Sequence, residues 1–416
     1  MKVTASLSSR MATWRDPIWC SKASDIVAVL LALSLPWSTS LVSIFGVVFA
    51  LMVAPTIERR AFAASLQRPI SALPIAFFAL AVVGTLWSEA PWSARSHALG
   101  PVVKFLVLPL LVYHFERSAR GMWVLTAFLT SCVLLMVMSW LVLFYPSLAM
   151  KSAERGIFVK NYIDQSQEFA LCAVVLAYPI YILLRNGKTW QSLLLAAIAI
   201  NFIINMSFVI VSRTAIVTLP ILLAIFAVLH LHWRARAIII GAIVLFAGLA
   251  WMASPQLRYK IHLLSSEYQL YENQNKPTSV GLRLEFWRKS LRFLAEAPVI
   301  GHGTGSTRGL FERAAVGSAD LATGQVIDNP HNQTLNVAIQ WGSIGVVLLY
   351  AMWLAHLLLF RGEGLVAWIG TMVVLENILS SLFNSHLFDF HEGWMYVLGV
   401  GVIGGMTIRA NRDALR

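Results

Sequence analysis

Charged residues are scarce in this chain. Asp, Glu, Lys and Arg together form 12% of its 416 residues, whereas hydrophobic residues form 58%, and the mean hydropathy is +0.71. A soluble domain carries about twice that share of charge, so this balance excludes an ordinary soluble protein. A helix that crosses a bilayer needs about 20 apolar residues, and many stretches of the sequence meet that length. The sequence therefore predicts an all-α, polytopic membrane protein.

Cysteine is nearly absent as well. The chain has Cys20, Cys132 and Cys172, which form no disulfide framework. The last two lie inside apolar runs, where a free cysteine behaves as a small hydrophobic residue. We expect both to be buried.

Motifs for several kinds of catalysis are missing. The sequence has no Asp-x-Asp pair, no cysteine cluster, no His-x-x-x-His and no Gly-x-Ser-x-Gly. The Gly-rich run 301–306 lacks the lysine of a phosphate-binding loop and is expected to be a flexible loop. One loop could hold zinc, because it has two histidines and two carboxylates, but we favour an aromatic-rich interfacial loop and expect no metal and no cofactor. Its residues are His386, Asp389, His391 and Glu392.

Apolar runs predict about 12 transmembrane helices, with the least certain boundaries in the close pairs at 24–55 and 189–231. The runs lie at 24–37, 39–55, 71–88, 98–114, 122–145, 166–184, 189–208, 209–231, 237–253, 333–360, 364–384 and 394–408. They divide the chain into three parts. Residues 1–253 hold the first nine spans, 254–332 form a large loop, and 333–416 hold the last three spans and a tail.

The net charge of the chain is +12, and its positive residues in the short loops lie mainly on one predicted side of the membrane. If the N-terminus is cytoplasmic, every short loop on that side is basic, whereas the opposite short loops at 37–39 and 385–393 have no Lys or Arg. The positive-inside rule then places both termini in the cytoplasm. The basic N-terminal segment is too long for a typical signal peptide and lacks a convincing cleavage site, so we expect it to be retained. Because much of the charge is a topology signal, no nucleic acid partner is expected.

The loop 254–332, on the outer side, is far longer than the other connections, and such loops are usually functional or disordered. Within it, Leu284 and Trp287 begin an apolar stripe at helical spacing, which predicts an amphipathic helix. Arg288 and Arg292 give that helix a basic face. A helix of this kind suits the membrane surface or the lid of a cavity, so the loop is expected to be partly helical.

A polar stretch, Asp328-Asn329-Pro330-His331-Asn332, joins this loop to the next apolar helix. Asp328 or Asn329 can cap that helix, and Pro330 suits its first turn. His331 would then lie in the first turn, where the partial positive charge of a helix N-terminus disfavours protonation. A neutral histidine can serve as a general base, although a polar cap at a membrane interface explains the same stretch equally well.

Positive charges on the outer side point to an anionic ligand. Arg213 lies near the outer end of the span at 209–231, and charged side chains inside spans are rare and costly. It can instead snorkel to the interface or pair with a buried carboxylate. A short outer loop also carries three cations, which an anionic ligand would explain because such groups bind phosphate oxygens. These cations are Lys151, Arg155 and Lys160.

Three motifs, in this order and on the outer side, resemble those of the bacterial O-antigen ligase and O-antigen polymerase family, as does the topology with one large late loop. The first motif is Ser212-Arg213-Thr214-Ala215, which resembles the arginine motif of the family. The second is Gly281-Leu282-Arg283 with Trp287, followed by Pro298-Val299-Ile300-Gly301-His302-Gly303. The third is His331-Asn332-x-x-Leu335 with Gly342 and Gly345, at the start of the next span.

The resemblance implies glycan transfer at the periplasmic face of the bacterial inner membrane, with the large loop in the periplasm. The donor would be a glycan on undecaprenyl diphosphate and the acceptor lipid A–core oligosaccharide, as in an O-antigen ligase of lipopolysaccharide assembly, without metal or nucleotide. His331 is expected to remove the proton of the acceptor hydroxyl, and a single displacement would invert the anomeric configuration. Cations would stabilise the departing diphosphate. The expected substrate-binding residues are Arg213, Arg283, Arg288, Arg155 and Asn332.

Other functions stay open. A polymerase would use the same donor with another lipid-linked glycan as acceptor, and a third branch of the family transfers glycans to protein hydroxyl groups. A transporter of a lipid-linked glycan is a different class. Related halves and charges near the bilayer midplane would favour a transporter, whereas this sequence has no recognisable halves and its charges cluster at the outer surface.

Overall fold

The computed structural model describes residues 16–150 and 156–414, and every regular element in these ranges is a helix, which confirms the all-α class. Most of the N-terminal segment that we expect to be retained lies outside the described residues, as do Lys151 and Arg155. The first nine helices are α1 (Pro17–Ser34), α2 (Thr39–Val53), α3 (Arg59–Leu66), α4 (Pro69–Val83), α5 (Trp92–Val103), α6 (Val107–Phe115), α7 (Gly121–Phe144), α8 (Tyr162–Val175) and α9 (Ala177–Arg185). The others are α10 (Thr189–Phe208), α11 (Arg213–His230), α12 (Trp233–Ala253), α13 (Pro255–Gln274), α14 (Ser279–Glu296), α15 (Thr307–Arg313), α16 (Gln333–Leu359), α17 (Leu365–Ser380) and α18 (Phe390–Ala414).

The predicted spans coincide with helices. Among the described residues, nine helical stretches are long and apolar enough to cross a membrane, and α3 with α4, bent by 77°, makes a tenth if the pair is one span. The remaining two predicted spans correspond to the shorter apolar helices α11 and α17. The polytopic helical architecture is therefore confirmed, while the number twelve stays a prediction. The long loop is partly helical, as expected, because it contains α13, α14 and α15.

Loops that were predicted to share a side of the membrane lie together. At one end, Arg68 and Arg412 contact the same carboxylate, that of Glu116, at 2.8 and 3.6 Å. At the other end, Nζ of Lys160 donates a hydrogen bond to the carbonyl of Leu35 at 2.6 Å. This grouping agrees with the predicted alternation of loops. Which end faces the cytoplasm stays a prediction.

Helix α16 is broken near its outer end. Trp341 (φ −131°, ψ 15°) and Gly342 (φ 58°, ψ −153°) leave the helical region, so the carbonyls and N–H groups around them lack their usual partners. The segment 298–304 fills the break and supplies those partners. The backbone hydrogen bonds run from His302 to Ile339 at 2.9 Å, from Gly303 to Gln340 at 2.8 Å, from Ser343 to Pro298 at 2.8 Å and from Ile344 to Val299 at 3.2 Å.

The Gly-rich run, expected to be a flexible loop, is instead held on both sides. The N–H of Thr304 donates to the carbonyl of Gly84 at 3.0 Å, and the indole N–H of Trp341 donates to the Thr304 hydroxyl at 2.9 Å. Gly301 has a positive φ of 64°, and a Cβ there would lie 2.5 Å from the Gln340 carbonyl carbon. Glycine is therefore used here for close approach of two backbones rather than for mobility.

The predicted amphipathic helix is α14 (Ser279–Glu296), and its faces divide in an unexpected way. Leu284 and Leu291 are exposed and lie on the side of the exposed Arg288 and Arg292. The inward face packs through phenylalanines but also buries charged side chains. An exposed stripe with both leucines and arginines suits the surface of a membrane. The buried face contains Gly281, Glu285, Phe286, Lys289, Ser290 and Phe293.

Candidate active site

A large cleft opens where the outer ends of the helices meet the long loop. It has a volume of about 1210 Å³ and lies between α5, the segment 301–313 and the start of α16. Both apolar and charged side chains face it, so it can accommodate a polar ligand with an apolar part. We call it the outer cleft. Its lining includes Trp87, His97, His302, Arg308, Asn329 and Asp389.

The start of α16 differs from the sequence-based expectation. Asp328 and Asn329 do not cap the helix, and Pro330 and His331 do not lie in its first turn. Asn332 is the N-cap instead: its side-chain oxygen accepts the N–H of Leu335 at 3.1 Å, and the helix begins at the next residue. The cap was misplaced because several residues of this stretch can cap a helix, and only the backbone angles decide which one does.

His331 precedes the cap and has a left-handed backbone conformation with φ of 54°. Its N–H donates to the side-chain oxygen of Asn329 at 2.9 Å, which stabilises this turn. A positive φ costs about 1–3 kcal/mol for a residue other than glycine and clusters at functional sites. The turn brings His331 beside the outer cleft, because Asn329 lines that cleft.

The ring of His331 is held by two contacts. Its Nδ1 lies 2.8 Å from Oδ1 of Asn384, in the loop between α17 and α18. Its face stacks on Phe286 of α14, with ring centroids 6.2 Å apart and an interplanar angle of 29°. The ring is thus positioned by two elements that are far apart in sequence.

A cluster of ionisable side chains lies behind Asn384. The amide nitrogen of Asn384 donates to Oδ2 of Asp389 at 2.8 Å, and Nδ1 of His386 lies 3.2 Å from that same oxygen and 3.5 Å from Oε1 of Glu392. Burial by itself would lower the pKa of His386, but the charges of Glu392 and Asp389 raise the pKa to about 10. His386 is therefore a cation held between two carboxylates.

Of the four residues of this loop that could hold zinc, these three side chains come together. One ligand atom from each of His386, Asp389 and Glu392 lies within 4.8 Å of the others. His391 points elsewhere and lies 3.6 Å from Asp164. His386 lies between the two carboxylates, and its positive charge offsets one of their two negative charges.

A second chain of hydrogen bonds connects the histidine turn to the Gly-rich segment. It passes through polar side chains that line the outer cleft or lie just behind it. Each amide or hydroxyl in the chain therefore has a hydrogen-bond partner within the cleft wall. The bonds join Ser385 to Asn329 at 2.7 Å, Asn336 to Ser385 at 3.1 Å, Gln340 to Asn336 at 3.0 Å and the N–H of Gly305 to Gln340 at 2.9 Å.

The predicted arginines of α14 lie on the helix that stacks on His331. Arg283 is one turn before Phe286 and is half-buried. Arg288 makes two hydrogen bonds to Glu285, at 3.1 and 2.8 Å, while its side chain stays 71% exposed. Burial would raise the pKa of Glu285, but hydrogen bonds from Arg288 and Tyr271 and the charges of Arg288 and Lys289 lower it. An anion that binds Arg288 must therefore compete with a carboxylate.

The other two predicted arginines are only partly placed by the structure. Arg213 is the first residue of α11, at the predicted outer end of that span, but its side chain lies outside the described part of the chain. Arg155 lies wholly outside the described residues. The assignment of these residues, and of Arg283, Arg288 and Asn332, to substrate binding stays a prediction.

Lys160, one of the outer cations that an anionic ligand was expected to explain, has a structural partner, and a second buried lysine, Lys104, has structural partners as well. Nζ of Lys160 is buried and lies 2.8 Å from Oε1 of Glu168. Nζ of Lys104 is buried as well and donates to the carbonyl of Phe388 at 3.2 Å, and to that of Asp389. For Lys160, the carboxylate of Glu168 replaces the anionic ligand as the explanation.

Sequence reasoning did not assign several residues of the cleft to the site. Arg308 and Arg313 line it from α15, and His97 and His302 line it from α5 and the Gly-rich segment. Arg308 pairs with Glu312 at 3.0 Å and with Asp328 at 3.1 Å. For His302, the sequence pattern that could have indicated the site is Gly301-His302-Gly303. The glycines there allow two backbone segments to approach closely.

The protein is a polytopic membrane protein, because it contains many helices of membrane-spanning length. Its candidate active site lies at one end, where a broken helix and a histidine adjoin a polar cleft. Residues 199–350 match the family model described as O-antigen ligase. That range contains all three motifs, so the resemblance to the O-antigen ligase family is confirmed.

A curated relative adds no activity to this assignment. The chain is 27% identical over 179 residues to an uncharacterized protein of Haemophilus influenzae, across 42% of this chain and 45% of that protein. The matched region thus spans less than half the length of the relative.

Proposed function

We propose that the protein is an O-antigen ligase that transfers O-antigen polysaccharide from undecaprenyl diphosphate to lipid A–core oligosaccharide at the periplasmic face of the inner membrane. The observation that carries the proposal is the position of His331, which lies within the segment that matches the family and donates its backbone N–H to Asn329, a residue that lines the outer cleft. The glycosyl donor already bears a good leaving group, so the reaction needs no nucleotide.

The proposed reaction is a single displacement. The acceptor oxygen forms a bond to the anomeric carbon, the bond from that carbon to the diphosphate oxygen breaks, and the diphosphate leaves with the electron pair. The acceptor proton passes to Nε2 of His331, the ring nitrogen that is not directed at Asn384. Attack opposite the leaving group inverts the anomeric configuration. Arg213 and Arg283 are the cations proposed for the leaving diphosphate.

Replacement of His331 tests the role of the base. In a mixture of purified protein, lipid-linked glycan and lipid A–core, we expect His331→Ala to slow transfer by about 10²–10⁴-fold, which is what a positioned base typically contributes. His262→Ala is the matched control, because His262 is exposed on α13 and does not line the outer cleft. Full transfer by both His331→Ala and Arg213→Ala would contradict the assigned roles.

The same mixture separates the ligase from the polymerase. A ligase extends lipid A–core, whereas a polymerase extends a second lipid-linked glycan when that glycan is the only acceptor. Excess EDTA is expected to leave the rate unchanged, and complete, reversible loss would instead assign a metal to His386, Asp389 and Glu392. Comparison of the anomeric configuration in donor and product tests inversion.

A further inference from the structure

The contacts around Asn384 determine which ring nitrogen of His331 carries a proton. Asp389 offers only acceptors to Asn384, so the NH₂ end of the Asn384 amide must face it, at 2.8 Å. The oxygen end of the amide then faces Nδ1 of His331, also at 2.8 Å. An amide oxygen can only accept, so Nδ1 must donate. In the neutral ring, Nε2 is then the nitrogen with the free electron pair.

We propose that Asn384 is a positioning residue for His331: it selects the tautomer in which Nε2 can accept a proton, and Asp389 fixes the amide that does so. This inference rests on the proposed function, because it requires His331 to be the base. Histidine bases are commonly oriented through the ring nitrogen that does not react. Here an amide occupies that place, with a carboxylate behind it.

The surroundings keep this arrangement rigid. Phe286 stacks on the His331 ring, and Asn329 donates to Oδ1 of Asn384 at 3.5 Å, which places a second donor on the amide oxygen. The charged groups that face Asp389 are His386, at 3.2 Å from its Oδ2, together with the buried Lys104 and Glu392. Asp389 also lines the outer cleft, so the support of the histidine and the substrate share one wall.

Single substitutions should remove the control of the tautomer. In Asp389→Asn, the new amide can accept as well as donate, so Asn384 can turn its NH₂ end toward His331 and favour the wrong tautomer. In Asn384→Ala, nothing selects the tautomer. For each variant we expect kcat to fall by roughly tenfold to hundredfold, within the total contribution of a base, while KM changes less than twofold to threefold.

An exchange of the two groups provides the decisive test. In the double variant Asn384→Asp with Asp389→Asn, a carboxylate at 384 accepts a hydrogen bond from the N–H at Nδ1, and the amide at 389 donates to that carboxylate. The tautomer is then restored, so we expect the double variant to recover at least tenfold of the kcat lost in Asp389→Asn. A carboxylate beside the ring favours its protonated form, so the acidic limb of the kcat/KM profile should move to higher pH.

The control is Asn201→Ala, because the Asn201 amide accepts a hydrogen bond from Trp140 at 2.8 Å and lies away from the cleft. This variant should retain wild-type kcat. Additive losses in the double variant, with an unmoved acidic limb, would overturn the proposal and leave a merely structural role for Asn384. Wild-type kinetics of Asn384→Ala, with an inactive His331→Ala, would also overturn it while leaving the proposed base intact. An active His331→Ala would instead remove the proposed function itself.

Discussion

Two neighbouring residues, His331 and Asn332, have separate roles, whereas the sequence pattern predicted the candidate base within the first turn of the capped helix. Asn332 caps α16 through its own side chain, and His331 takes the left-handed conformation just before it. Its ring is therefore directed by Asn384 and Phe286 rather than by the first turn of a helix. The position of the helix cap at Asn332 thus determines which residues the ring of His331 can contact.

The cap makes a prediction about Asn332. An alanine there leaves the N–H of Leu335 without its partner, so Asn332→Ala should lower the free energy of unfolding by about 0.5–2 kcal/mol. Asn332→Asp, which can still cap, should retain most of that stability. Thermal unfolding in detergent measures both. A stable Asn332→Asp that cannot transfer glycan would show that the NH₂ group, which donates to the carbonyl of Leu382 at 3.1 Å, has a role beyond the cap. An unchanged stability in Asn332→Ala would contradict the cap.

The helix break in α16 is the feature that shapes the site at the scale of elements. A span that departs from helical geometry must satisfy its backbone groups within the protein, because the bilayer interior offers no water. The Gly-rich segment supplies partners for the backbone groups at the break, and it also brings His302 and Gly305 to the outer cleft. The broken helix and the segment that fills it are thus one unit.

Substitution of Gly342 tests that unit. A Cβ at this position would lie 2.4 Å from the backbone of Val299, and φ is positive, so Gly342→Ala should destabilise the protein by at least about 1–3 kcal/mol and lower transfer. The control is Gly248→Ala in α12, where a Cβ would meet no atom within 4 Å. Apparent melting temperature and transfer rate would both fall only in the first variant. Equal stability of the two variants would argue against the break.

Oppositely charged side chains form ion pairs at each end of the helix bundle. Arg68 and Arg412 meet at Glu116 at one end, and Lys160 meets Glu168 toward the other. Most of these pairs join residues far apart in sequence. Their grouping agrees with the predicted alternation of loops between the two sides of the membrane, whereas the cytoplasmic position of both termini stays a prediction.

Cysteine labelling can measure that topology. The three native cysteines are buried, so a single introduced cysteine has little background. Ser318→Cys, in the exposed part of the long loop, should react with a membrane-impermeant maleimide in intact cells with a permeable outer membrane. Glu363→Cys, in the exposed loop between α16 and α17, should react only after lysis. The reverse pattern would invert the proposed orientation.

The sequence by itself determined the class of the protein, its predicted spans and the three motifs of the family. Hydropathy and motif spacing are local properties, and a bilayer imposes nearly the same length on each spanning helix. The tertiary structure decided which polar groups meet. Asn384 lies 53 residues from His331, Glu168 rather than a ligand neutralises Lys160, and the segment 298–304 enters the break in α16. These contacts depend on how the helices pack around one another, and no local pattern of residues encodes that packing.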